Sequence, residues 1–304
     1  MIHFNKILSL FSALILCCNC QFADATIGAK KTDFKYDSLV KPALLKYSWL
    51  DKSDAKNSLY LVNQVPVPNG YRRVEAKSGS FAEWLRFLPL SPNNSKVLLF
   101  DGREKSYQKG AYRIINIDIG NSDLQQCADA VMRLKAEFHY SRGEYDKIHF
   151  NFTSGHKVSF DDWRKGKKPS VSGNKVNFSA FGTKTDNTYS NFKKYLSMVF
   201  SYAGTASLEK ELLSAQIEEI KAGDLFIKGG FPGHAVLVLD VAENIETGEK
   251  IFLLSQSYMP AQSIHILKNF DHTQQLSPWY PADFGETLHT PEWEFKPSSL
   301  KKWK

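Results

Sequence analysis

Apolar side chains recur at helical spacing in residues 119–138 and in residues 187–204. The apolar positions are Leu124, Cys127, Val131, Leu134 and Phe138 in the first segment, and Phe192, Tyr195, Leu196, Val199 and Phe200 in the second. Such spacing places these side chains on one face of a helix. Ser122 or Asp123, each followed by glutamine three residues later, predicts the N-cap of the first helix. Gly204 predicts the end of the second.

Shorter apolar runs bounded by turn residues predict strands. They occupy residues 96–102 and 112–120, and residues 145–160 have the pattern of a hairpin. The longest run, HAVLVLDV, begins at His234 and predicts a strand that is buried on both faces. Because helices and strands are mixed without strict alternation, the sequence predicts the α+β class.

A second hairpin follows His234, with its turn expected near residues 245–248. This turn brings the segment from Gln256 to Met259 opposite His234 on the returning strand. Gln256 is the best polar candidate in that segment for holding an imidazole ring in one orientation. The prolines and aromatic residues from position 269 onward predict that the tail packs back on the domain.

The first 25 residues have the layout of a secretory signal peptide. A single lysine precedes a short apolar run, and Ala23-Asp24-Ala25 forms a cleavage signal. A lipoprotein leader, with Cys18 or Cys20 carrying a lipid anchor, is the alternative that stays open. We therefore expect an exported protein in the periplasm or envelope. An extended segment would cover residues 26–70, and a single domain would cover residues 71–304 with its core at about 96–260.

The charge and the remaining cysteine narrow the function classes. The net charge is +7, but the lysines are scattered and accompany no nucleic-acid-binding motif, so nucleic acid is not an expected partner. Cys127 is the one cysteine outside the leader, which leaves no disulfide framework. Without paired cysteines or a His-x-x-x-His motif, the sequence predicts no metal site and no cofactor.

Cys127 has two interpretations. A thiol near a helix N-terminus lies at the positive end of the helix dipole, which favours thiolate, yet a lone cysteine on an apolar stripe is also a common core residue. A nucleophilic cysteine needs an imidazole to accept its proton. His234 is the best candidate, since it opens a buried strand directly after a GGFPG loop. Gly233 would let another chain or a substrate approach closely.

The order of Cys127, His234 and Gln256 resembles the NlpC/P60-like superfamily of papain-related cysteine peptidases and amidases. The pattern GDLFIKGG…GHAVLVLDV is similar to that superfamily's two core strands. The resemblance implies a core helix bearing Cys127 as nucleophile, His234 as base and Gln256 as the residue that orients the base. It also implies an amide substrate, often in peptidoglycan peptides. The long gap between Cys127 and His234 then requires an inserted hairpin and helix.

Several further residues are candidates for binding. Gln125, Gln126 or nearby backbone N–H groups would supply the oxyanion hole. Trp279, like Tyr280 and Trp293, would either stack on a sugar ring of the substrate or pack the tail against the domain.

A closer resemblance covers almost the whole chain after the leader. The segments DLQQCADAVMRL, GGFPGHAVLVLD, LLSQSYMPAQSIHILKN and SPWYPADFGETLHTPEW resemble an exported bacterial family catalogued as a domain of unknown function, number 4846. That family implies no established activity. Two hypotheses follow: an exported cysteine hydrolase acting on a peptide or peptidoglycan-like substrate, or a cell-envelope binding protein that keeps the same fold without turnover.

Overall fold

The computed structural model describes residues 45–51, 59–271 and 276–304. The expected signal peptide and lipidation site, at residues 1–25, lie outside the described residues. No helix within the described ranges is long and apolar enough to cross a membrane.

Helices and strands both contribute to the described chain. The helices are α1 (Leu61–Gln64), α2 (Phe81–Arg86), α3 (Cys127–Ser141), α4 (Phe160–Arg164), α5 (Tyr189–Tyr202) and α6 (Thr205–Glu211). The strands are β1 (Leu59–Tyr60), β2 (Tyr71–Arg73), β3 (Pro89–Leu90), β4 (Ala111–Ile114), β5 (His149–Asn151), β6 (Lys157–Ser159), β7 (Pro169–Ser172), β8 (Lys175–Phe178), β9 (Leu213–Ser214), β10 (Leu225–Lys228), β11 (His234–Asn244), β12 (Lys250–Gln256), β13 (His265–Leu267), β14 (Tyr280–Pro281), β15 (Leu288–His289), β16 (Glu294–Phe295) and β17 (Leu300–Lys302). Short 3-10 turns lie at Tyr145–Lys147, Ile217–Glu219 and Pro297–Ser299.

Antiparallel pairing organises the main sheet. Over the described ranges this sheet has nine strands, with the order β4-β13-β12-β11-β10-β17-β9, while β14 pairs with β12 and β2 pairs with β11. The strands β1–β3, β5–β6, β7–β8 and β15–β16 form separate two-stranded ribbons. The mixture of helices with antiparallel sheets confirms the predicted α+β class.

The hairpin of β11 and β12 forms the centre of the sheet. Leu237 pairs with Ser255 and Val238 pairs with Leu254, which is the register expected from a turn near residues 245–248. Along β11, Ala235 and Leu237 belong to the core layer beneath α3, whereas Val238 belongs to the layer on the opposite face. Both faces are thus covered, which explains the continuous apolar run in the sequence.

The start of α3 differs from the prediction. The helix begins at Cys127 with Gln126 as its N-cap, so neither Ser122 nor Asp123 caps it. The Asp123 carboxylate instead accepts hydrogen bonds from Ala261 N–H (2.6 Å) and from Gln126 Nε2 (3.0 Å). The Asp123 side chain therefore bridges two loops. Because of this bridge, Leu124 lies outside α3 and Cys127 is the first residue of the helix.

Two further expectations are corrected. Residues 96–102 form isolated bridges from Leu98 and Leu99 rather than a strand, because the chain turns back on itself and Leu99 N–H bonds Arg103 O. The extended segment expected up to residue 70 contains β1 and α1 in its described part. Leu61 on α1 is fully buried, so this part belongs to the domain core.

A buried carboxylate joins three elements of the fold. Asp240 on β11 is fully buried and accepts hydrogen bonds from Arg73 Nε (2.7 Å) on β2 and from Arg86 Nη2 (2.7 Å) on α2. Its Oδ1 also accepts from Val241 N–H. This network fixes α2 and β2 against the strand that begins at His234.

Candidate functional site

A cavity of about 440 Å³ lies where α3 begins, beside the glycine-rich loop that precedes β11. Its wall includes Cys127, Asp129, Gly233, His234, Tyr258 and Trp293. The fold therefore brings the predicted nucleophile and the predicted base, which lie on different elements, to one cavity.

Cys127 occupies the first position of α3, where its side chain is partly exposed. The backbone N–H groups of Ala128 and Ala235 lie close enough to its sulfur to lower the thiol pKa slightly, so the thiol lies beside the residue that follows His234. Burial raises the pKa of Cys127 to about 11, and the Asp129 carboxylate adds to this rise. The lowered pKa expected from the helix dipole is not found, because loss of solvation outweighs the dipole at this position.

His234 is almost completely buried at the first position of β11. Its Nε2 lies 2.9 Å from Gln256 Oε1, which is the contact expected from the hairpin register. The rings of Tyr258 and Trp293 lie against the imidazole, with centroids 4.9 and 5.2 Å away. Burial lowers the pKa of His234 to about 4, although the hydrogen bond with Gln256 partly opposes that shift.

The side-chain amide of Gln256 is also held at its nitrogen, Nε2, on the side away from His234. Gln256 Nε2 donates to Glu292 Oε2 at 2.7 Å, and Lys105 Nζ lies 2.6 Å from the same carboxylate oxygen. His265 Nδ1 donates to the carbonyl of Ser263 (2.9 Å), so its Nε2 accepts the second, longer hydrogen bond from Gln256 (3.4 Å). These contacts identify the amide nitrogen of Gln256.

The orientation of Gln256 determines the tautomer of His234. With its nitrogen facing Glu292, Gln256 presents its oxygen to the imidazole, and an amide oxygen only accepts hydrogen bonds. Nε2 of His234 therefore carries the proton, which leaves Nδ1 as the basic nitrogen of the neutral ring.

Gly233 has no space for a side chain. A Cβ atom at this position would lie 2.4 Å from both Thr205 Oγ1 and the carbonyl oxygen of Gly230. The sequence predicted that another chain segment or a substrate comes close to Gly233. In the structure Thr205 and Gly230 of the protein itself make that close approach. Phe231, two residues earlier, is 94 % exposed at the rim of the cavity.

Of the other predicted binding residues, some lie on the cavity wall and others lie away from it. Gln126 lines the cavity. Gln125 is buried outside the cavity wall, where its Oε1 accepts from Arg133 Nη1 at 2.9 Å. Trp279 is a core residue whose Nε1 donates to Pro66 O at 2.8 Å, and it does not line the cavity. Of the aromatic tail residues considered, Trp293 is the one on the wall.

Sequence reasoning missed the support behind Gln256. Lys105, His265 and Glu292 come from three separated segments and carry no shared motif. The aromatic tail was the feature that could have indicated this support. A tail that packs on the domain also places its polar residues, here Glu292, against the domain. In residues 45–51, 59–271 and 276–304, no three His, Cys, Asp or Glu side chains come together as a metal site would require.

Comparison with known proteins gives a family match without an activity. The family model described as Domain of unknown function (4846) matches residues 61–302 of the chain. Searches of curated proteins and of solved structures found no match.

Proposed function

Because this chain belongs to the family described as Domain of unknown function (4846), which assigns no chemistry, we propose a function from the cavity itself. The protein is an exported cysteine hydrolase that cleaves an amide bond in cell-wall peptides. Cys127 is the nucleophile, His234 is the general base, and Gln256 orients His234. The observation that carries the proposal is that Cys127 and His234 line one cavity while Gln256 bonds the far nitrogen of the imidazole.

The layout of the core supports an NlpC/P60-like arrangement. Helix α3 packs over β11 and β12, so the cysteine lies at the end of a helix that covers the strands carrying His234 and Gln256. Between α3 and β11 the chain adds the ribbons β5–β6 and β7–β8 together with α4, α5 and α6. These elements supply the insertion that the resemblance requires.

The reaction proceeds through a thioester. Cys127 Sγ attacks the carbonyl carbon as its proton moves to Nδ1 of His234, and the C–N bond then breaks as that proton passes to the leaving amine. Water, deprotonated by His234, attacks the thioester and releases the carboxylic acid. The sulfur takes back the proton, so the enzyme returns to its starting state.

Backbone N–H groups at the start of α3 stabilise the tetrahedral intermediate. The first N–H groups of a helix have no carbonyl partner within it, and both Cys127 and Ala128 line the cavity. Gln126 adds a side-chain amide at the same wall; one of its two N–H donors bonds Asp123 Oδ1, which leaves the second for the intermediate. We assign the oxyanion hole to these groups rather than to Gln125, whose side chain contacts Arg133.

Activity is expected to fall at a low pH. Burial raises the pKa of Cys127 to about 11 and lowers that of His234 to about 4, so the resting pair is a neutral thiol and a neutral imidazole. Only the unprotonated ring accepts the thiol proton, hence kcat/KM should decrease as the pH falls through about 4. A kcat/KM profile measures this limb directly, and an acidic limb near the ordinary histidine value would contradict it.

Peptidoglycan fragments test the proposed reaction. The wild-type protein should release new amino groups from purified peptide fragments, with one amine formed for each carboxylate. Mass spectrometry of a rapidly quenched sample should find the acyl group on Cys127. Cys127→Ala serves as the control and should give neither product. A variant as active as the wild type would exclude the cysteine mechanism.

Removal of the carboxylate behind Gln256 should lower the rate rather than substrate binding. Glu292→Leu frees the Gln256 amide to rotate, so we expect kcat to decrease by about 10- to 100-fold with KM nearly unchanged. Glu292→Gln keeps an acceptor for Gln256 Nε2 and should restore most of the activity. Glu294→Leu, at an exposed carboxylate two residues away, is the matched control. Equal losses in the Leu variants at positions 292 and 294 would argue against this role.

One observation favours a binding protein as the second candidate. A thiol with a raised pKa in an aromatic-lined cavity is also suited to holding a ligand without attacking it. In that case Cys127→Ala would bind peptidoglycan fragments as tightly as the wild type, and neither protein would convert them. Calorimetry alongside product analysis distinguishes the two functions.

A further inference from the structure

A second cavity, of about 500 Å³, lies at the opposite half of α3. Its wall includes Lys135 and His139 from α3, His149 from β5, Lys157 from β6, and Trp303 near the end of the chain. None of its lining residues is shared with the cavity of Cys127. Any ligand here would therefore occupy a separate site.

The ammonium group of Lys135 lies among aromatic rings. Lys135 Nζ lies 4.7 Å from the ring centroid of Phe81, 5.3 Å from that of Trp303 and 5.9 Å from that of Phe138. Among the described residues it makes no hydrogen bond or ion pair. Burial lowers its pKa to about 8, and the nearby Glu144 carboxylate only partly opposes this shift.

His149 adds unused hydrogen-bonding capacity to the same wall. Its Nδ1 is shielded from solvent and has no hydrogen-bond partner in the described part of the chain. Buried polar nitrogens are normally paired, so an unpaired one requires an explanation. Rotation of the ring would turn a nitrogen toward a bound group.

Positive charge predominates around this cavity. Four lysines line it, namely Lys135, Lys147, Lys157 and Lys304, whereas the acidic lining residues are Asp146 and Glu211, and Lys147 is paired with Glu144 at 3.4 Å. Glu211 is partly occupied, because its Oε1 accepts from Asn151 N–H at 2.8 Å. The other three lysines, which make no ion pair within the described ranges, leave the lining with a small excess of positive charge, which attracts anions.

We propose that the cavity beside Lys135 binds a phosphate group. The ammonium of Lys135 forms the central contact, and Lys157 and His149 complete the cradle. Trp303 forms one wall, where it would pack against an organic group attached to the phosphate. This site acts independently of Cys127.

Titration calorimetry with inorganic phosphate tests the assignment. Binding should be saturable, and acetate at the same ionic strength should bind at least about tenfold more weakly. Lys135→Met should weaken the phosphate affinity by about 10- to 100-fold, because a charge-assisted hydrogen bond is lost. Lys135→Arg keeps the charge and should retain part of the affinity. Lys210→Met, at an exposed lysine outside the cavity, should bind as the wild type does.

Each result of these titrations either supports or overturns the proposed phosphate site. Absence of saturable phosphate binding, equal binding of acetate, or unchanged affinity in Lys135→Met would each overturn the proposal. Circular dichroism of each variant guards against unfolding. Glycerol 3-phosphate distinguishes the source of the group: tighter binding than inorganic phosphate indicates a phosphoester ligand, and equal binding indicates free phosphate. Either result supports a phosphate site.

Discussion

His234→Ala is expected to lower kcat/KM for peptide hydrolysis by about 10⁴. In the proposed mechanism the loss arises because the substitution removes the imidazole that accepts the thiol proton. Gln256, whose amide bonds the imidazole in the wild type, cannot replace it, since an amide is not a base at neutral pH. The decrease should appear mainly in kcat, and it is measured by steady-state kinetics on the fragment that the wild type cleaves.

Two additional measurements make this result specific. Added imidazole should restore part of the activity of His234→Ala, because removal of the ring leaves space in the cavity for a small base. Thermal unfolding should show that the variant is folded, since His234 is a buried residue. A loss smaller than tenfold would remove His234 from the reaction.

Asp240→Ala is expected to lower the free energy of unfolding by about 3–5 kcal/mol. The substitution leaves the guanidinium groups of Arg73 and Arg86 without their carboxylate, and the Arg73 side chain is only 3 % exposed. An unpaired buried charge costs more than the pair contributes, so the effect exceeds that of an ordinary ion pair. Urea denaturation followed by circular dichroism measures the change.

Glu243→Ala provides the matched control on the same strand. Its partner, Arg72, has 62 % of its side chain exposed, and Glu243 itself has 28 % exposed. An ion pair so accessible to water contributes about 0–1 kcal/mol, and the variant should unfold almost as the wild type does. Similar losses for Asp240→Ala and Glu243→Ala would show that burial does not determine the effect.

Local patterns in the sequence predicted the parts of the fold that depend on neighbouring residues. The hairpin of β11 and β12 and its register followed from one apolar run and one turn. The helix expected at residues 187–204 is α5, Tyr189–Tyr202, and the hairpin expected at residues 145–160 contains β5 and β6. In each case the apolar spacing and the turn residues lie within one short segment.

Predictions from short segments failed where contacts with residues far away in the sequence outweigh the contacts with neighbouring residues. Asp123 has the sequence of an N-cap, but its carboxylate binds Ala261 N–H, and α3 starts four residues later. The pKa of Cys127 follows the same rule, since burial by distant elements outweighs the helix dipole. The contacts of Gln256 with Glu292 and His265 likewise depend on how the tail and β13 pack, which no short segment encodes.

The hairpin that carries His234 and Gln256 has a consequence for the order of folding. These two residues are 22 positions apart, so their contact closes a short loop and can form early. The cysteine helix joins them only through long-range contacts, such as the hydrogen bond from Ser257 to Gln125, which spans 132 positions. During refolding, protection of the Cys127 thiol from alkylation should therefore appear later than protection of the backbone amides of β11 and β12.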